Sequence, residues 1–152
     1  MFRQSRSHRV NLMIESHLRE RVAMAFAEHL GDVLERDVFV GRRSGRPEPP
    51  YTVVTVKRMP PAPGSEGEAA VAEVRIVHVS DAADSDADEH SARIRDLERA
   101  IWSIPRPAID LKNGVALLGF ELDDVGQAAG QDDDGRKLYA DVFQLTAGVM
   151  EA

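Results

Sequence analysis

Twenty-six carboxylates, five histidines and no cysteine set the chemistry open to this 152-residue chain. Without a thiol there is no disulfide, no thiolate metal site and no cysteine nucleophile. Asp84, Asp86 and Asp88 form a D-x-D-x-D string of the kind that opens a calcium loop. Such a loop needs Gly at its sixth position and a bidentate Glu at its twelfth. Glu89 and Arg95 stand there, so the string reads as the acidic start of a helix, where it suits the macrodipole. Asp132, Asp133 and Asp134 are adjacent and precede Gly135, which marks solvated turn residues rather than a cation cage. Asp123 and Asp124 fall under the same reading. His8, His17, His29, His78 and His90 offer no i, i+4 pair on one helix, the spacing that zinc needs. His78 lies in an apolar run and is expected as a half-buried strand residue. The segment Gly41-Arg42-Arg43-Ser44-Gly45-Arg46 lacks the phosphate-loop pattern, although its arginines suit a phosphate or an acidic protein surface. No G-x-S-x-G elbow is present. The chain therefore reads as a non-enzyme with no cofactor and no metal.

The elements that position these groups follow from periodicity. Residues 1–11 hold Arg3, Arg6 and Arg9 with little apolar content, and are expected as a flexible basic arm. Ile14, Leu18, Val22, Phe26 and Leu30 then form one helical stripe, with Gly31 as the expected C-terminal cap. Val38 to Val40 is a short strand. Residues 41–50 form a Pro/Gly-rich loop with a basic tip, and Tyr51 to Arg58 a β-branched strand. Residues 59–67 form a second loop, and Ala69 to Ser80 a long strand. Ser85 and Asp88 suggest a capped start for a second helix through Ile94, Leu97 and Ile101, which Pro105 ends. Val115 to Leu122 is a strand with Ala116, Leu118, Phe120 and Leu122 on one face. Residues 123–135 are expected as an acidic loop, and Arg136 to Ala147 as the last strand.

The order α-β-β-β-α-β-β predicts one α+β domain over 1–152. A mixed, mainly antiparallel sheet of four or five strands should carry both helices on one face. Val54, Val56, Val74, Ile76, Leu118 and Phe120 are the expected sheet side of the core, and Trp102 should seal its edge.

Charge is unevenly spread. Residues 1–60 carry eleven basic and seven acidic groups, and residues 61–152 carry eight basic and nineteen acidic. The net −7 argues against a protein that wraps nucleic acid. The asymmetry fits a molecule with two electrically different surfaces. No apolar run approaches the roughly 20 residues of a membrane span, and the basic start leads into an amphipathic stretch, so neither a span nor a secretory leader is expected.

Three stretches resemble the tail terminator (tail completion) proteins of tailed bacteriophages: Pro50-Tyr51-Thr52-Val53-Val54 after a Pro-rich loop; the strand from Val74 with its Ala/Asp-rich connector and the helix ending at Ile101; and Asp134 to Tyr139 followed by Asp141-Val142-Phe143. With the order of elements they span about residues 12 to 147. The resemblance implies a virion structural protein, assembled in the host cytoplasm. It implies a homo-hexameric ring that caps the tail tube and joins it to the neck, or head-completion, proteins. DNA would pass through the ring without specific binding. In that setting Arg42, Arg43 and Arg46 are candidates for a subunit or partner contact. Asp123, Asp124, Asp132, Asp133 and Asp134 are candidates for an element facing the lumen or the tube. The alternative is a small α+β ligand-binding or regulatory domain acting as a dimer.

Overall fold

The computed structural model describes residues 2–41, 48–82, 87–105, 113–131 and 135–151; for 2–17 and 128–131 only the backbone course is described. The elements are α1 (Phe2–Leu34), β1 (Phe39–Val40), β2 (Tyr51–Arg58), β3 (Ala69–Asp81), α2 (Ala87–Trp102), β4 (Val115–Gln131) and β5 (Lys137–Glu151). They build an α+β fold with a five-stranded sheet in the order β1-β2-β3-β5-β4. β1 runs parallel to β2, and every other pairing is antiparallel.

Both helices lie on one face. α1 buries Leu18, Val22, Ala25, Phe26 and Leu30, and α2 buries Leu97, Ala100 and Ile101. They meet Val54 and Val56 of β2, Ala72, Val74 and Ile76 of β3, and Phe143, Leu145, Ala147 and Val149 of β5. These sheet positions are alternate residues, so the strands keep period two through the core. Arg21 fastens the far end: its guanidinium donates to the carbonyls of Asn113 (2.8 Å) and Gly114 (2.7 Å) and meets Glu151 at 2.7 Å.

Three expectations need correction. The basic residues 2–11 are not a separate arm, because α1 runs unbroken from Phe2. They contain neither Gly nor Pro, so nothing in them stops the helix. α1 also continues past Gly31 to Leu34. Its cap is Glu35 in the left-handed region (φ 55°), with the Arg36 amide donating to the Gly31 carbonyl at 3.2 Å. That is a Schellman arrangement, with Gly31 in the last turn instead of beyond it.

The third correction concerns β4. Residues 123–131 are strand, and 124–131 pair residue by residue with 137–144 of β5. Their Gly, Ala, Gln and Asp composition hides a strand that pairing with β5 imposes. The register slips between Leu117 and Gly119 and again between Leu122 and Asp124. Each slip is a bulge, and a bulge reverses which residues face inward. Leu117 is therefore buried and Leu118 is 50% exposed, the reverse of the expected phase, while Phe120 regains the core.

Candidate functional site

At one end of the sheet the helix-facing residues change from apolar to polar. Thr52, His78 and Asp141 are cross-strand neighbours on β2, β3 and β5, and Ser80 follows two residues after His78. All four are buried, and α2 lowers a buried His90 onto them.

The distances define a chain. His90 Nε2 lies 2.8 Å from Asp141 Oδ1, and His90 Nδ1 lies 2.8 Å from Ser80 Oγ. Ser80 Oγ is 3.2 Å from His78 Nε2, and His78 Nδ1 is 2.9 Å from Thr52 Oγ1. Arg93 reaches Ser80 Oγ at 3.3 Å, and Arg36 reaches Thr52 Oγ1 at 3.4 Å. The carboxylate can only accept, so His90 Nε2 carries a proton, and in the neutral tautomer its Nδ1 accepts from the Ser80 hydroxyl. Ser80 Oγ then accepts from His78 Nε2–H, and His78 Nδ1 accepts from the Thr52 hydroxyl. In that tautomer donation runs one way, Arg36 to Thr52 to His78 to Ser80 to His90 to Asp141. This tautomer assignment follows from the network. Rings stack around it: His90 lies 5.7 Å from His78 and 5.4 Å from Tyr139.

Burial, with Arg36, His90 and Arg93 close by, pushes the His78 ring down to about 3 from its ordinary 6.5. Burial and Arg93 also hold the Arg36 guanidinium below its usual value, opposed by Asp96. Arg36 Nε is buried and has no hydrogen-bond partner among the described residues.

Ser80, His90 and Asp141 are the residue types of an acyl-transfer triad. Here Ser80 is fully enclosed and its oxygen is within bonding distance of three nitrogens. No acyl carbon can approach it, so this arrangement ties α2 to the sheet.

The opposite face of the sheet carries no helix among the described residues. Tyr51, Val79 and Ala140 form one cross-strand row on it, and Val53, Val77 and Val142 the next. All but Val79 are only half-buried. Beyond them lies a charged band. On the β2–β3 side stand Lys57, Arg58 and Arg75, with Glu73 3.6 Å from Arg58. On the β4 side stand Glu121, Asp123 and Asp124, all exposed. Leu118 projects from the same face.

Of the sequence-predicted site residues, Asp123 and Asp124 lie at the second bulge of β4, where Asp123 accepts a hydrogen bond from the Thr146 hydroxyl. Asp132, Asp133, Asp134, Arg42, Arg43 and Arg46 lie outside the described residues, as do Asp84 and Asp86. His78 is fully buried rather than half-buried. Trp102 packs its ring 5.8 Å from Phe120 yet is 45% exposed, so it offers a contact surface as well as closing the core edge.

Sequence reasoning missed the polar chain. Its signals were a histidine in the apolar stripe of α2 (90, 94, 97, 101) and an aspartate in phase with Phe143 and Leu145. No protein-family model and no curated protein matches the chain.

Proposed function

We propose that this chain is a virion assembly protein of the tail-terminator kind. Copies close into a ring, a hexamer, that caps the tail tube, meets the neck proteins and lets DNA through without binding it. The protein works in the virion after assembly in the host cytoplasm. The observation that carries the reading is the sheet face that no helix covers among the described residues, apolar at one end and oppositely charged on its two sides.

Opposite charges on two different sides of one molecule favour head-to-tail contacts, and such contacts form a ring where the rotation from copy to copy closes. A symmetric dimer through this face sets like charges together when its two-fold axis runs across the strands and opposite charges together when the axis runs along them. In the ring Arg58 and Arg75 of one copy meet Glu121 and Asp124 of the next, which moves Asp124 from channel lining to subunit contact. Asp132, Asp133 and Asp134, next to that edge in sequence, keep the reading of a channel- or tube-facing element, where carboxylates repel phosphate. Arg42, Arg43 and Arg46 keep that of a subunit or partner contact.

The second reading is a ligand-binding dimer. A cleft of about 500 Å³ between the end of α1 and β1 supports it, with Met24, Ala27 and Phe39 below a rim of Glu28, Glu35 and Asp37. Light scattering on a sizing column, with imaging of the heaviest species, separates the two. Rings of about six copies with a channel wide enough for duplex DNA, or a block on tube growth by added protein, support the terminator reading. A dimer at every concentration that leaves tube growth unaffected overturns it.

A further inference from the structure

The apolar rows and the buried polar chain share the same strand ends. Tyr51 and Val53 flank Thr52; Val77 and Val79 flank His78; Ala140 and Val142 flank Asp141. Successive residues of a strand point to opposite faces, so the chain lies directly beneath the rows. We propose that the chain from Thr52 through His78, Ser80 and His90 to Asp141 is an acid-sensitive latch that joins the first turns of α2 to the strand ends displaying the apolar rows. This rests on the ring reading in that the rows are the surface the latch would control.

The geometry works against a second proton on His78. Its Nε2–H is already spent on Ser80, and its Nδ1 accepts from Thr52. A proton on Nδ1 would face Thr52 Oγ1, which already receives Arg36. Thr52 would then face two donors and lose the acceptor of its own hydroxyl.

The surroundings oppose the charge as well. Arg36 approaches from the end of α1, and His90 and Arg93 from α2. On β5 stand Asp141, already engaged by His90, and Tyr139, stacked on the His90 ring. Asp96 of α2 acts on Arg36.

α2 is held unequally along its length. Its C-terminal half sits on Leu97, Ala100 and Ile101, whereas the half before Leu97 has His90 as its one fully buried side chain and only the half-buried Ile94 against the core. Opening that first half returns His78 to solvent, where it protonates normally. The closed form keeps the ring neutral down to about pH 3, so below about 6.5 each pH unit favours the open form tenfold.

Amide hydrogen exchange on the full chain tests this, with rates corrected for intrinsic pH dependence. Residues 87–96 should open ahead of 143–149, and about tenfold more at pH 5.5 than at pH 7.5. His78→Asn should abolish the pH difference. The ring resonances of wild-type His78 should report a neutral imidazole at pH 5.5, a readout that stands if the variant does not fold. The proposal is overturned if 87–96 shows no pH effect, or exchanges in step with 143–149 at both pH values. A chain that never assembles yet shows the acid opening removes the ring reading and leaves the latch.

Discussion

Removing one member of the polar chain costs more than its hydrogen bond, because it strands the groups on either side. His90→Ala leaves the Asp141 carboxylate buried without its partner. Stranding a buried charge costs about 3–5 kcal/mol. Ser80→Ala leaves the facing nitrogens of His78 and His90 unsatisfied and should cost about 1–3 kcal/mol. Urea unfolding at pH 7.5 should rank His90→Ala below Ser80→Ala, and both below wild type. A change under 0.5 kcal/mol for either would show that solvent already satisfies the chain. These residues were poorly legible in the sequence for a physical reason. Ser80 and His90 are ten positions apart, and Asp141 is fifty-one beyond His90. Only the pairing of β3 with β5, together with the packing of α2 on the sheet, brings them together, and nothing local encodes it. Phase was the one clue, since Asp141 occupies an inward position on a strand whose other inward residues are apolar.

At the scale of elements, pattern was informative wherever burial alone decided it. The stripe from Leu18 to Leu30, the alternation of β2 and β3 and the stop before Pro105 all stand as expected. It failed where geometry intervened. Bulges invert the phase of β4, and residues 123–131 form a strand only because β5 pairs with them. The phase reversal is directly testable. Leu117→Ala should cost about 2–5 kcal/mol as a core truncation, whereas Leu118→Ala should stay within about 0.5 kcal/mol. Equal costs would mean that the bulge is absent. The end of α1 is similar: sequence suggested Gly31 as the cap, yet Glu35 takes the left-handed position. Glu35→Gly relieves that conformation and should raise the unfolding midpoint, a gain of about 0.5–1 kcal/mol. A loss there would mean that the Glu35 side chain holds a contact worth more than the strain.

For the whole molecule, the question is whether opposite charges on two sides of one sheet hold copies together. Within a single copy they lie two strands apart or more, and no ion pair joins Arg75 to Asp124. An exposed pair contributes at most about 1 kcal/mol, so reversing two pairs at each contact should raise the concentration needed for assembly by roughly tenfold or more. The Arg58→Glu/Arg75→Glu variant and the Glu121→Lys/Asp124→Lys variant should each assemble poorly, most visibly at low salt where screening is weak. The four-substitution chain restores opposite signs and should assemble within a few-fold of wild type. Urea unfolding of the dilute chains should change little, since all four side chains are exposed. Rescue by the combination is the decisive result, because simple damage to either side adds and does not cancel. Assembly unaffected by either reversal would move the subunit contact elsewhere, with the exposed Trp102 beside Phe120 as the next surface to alter.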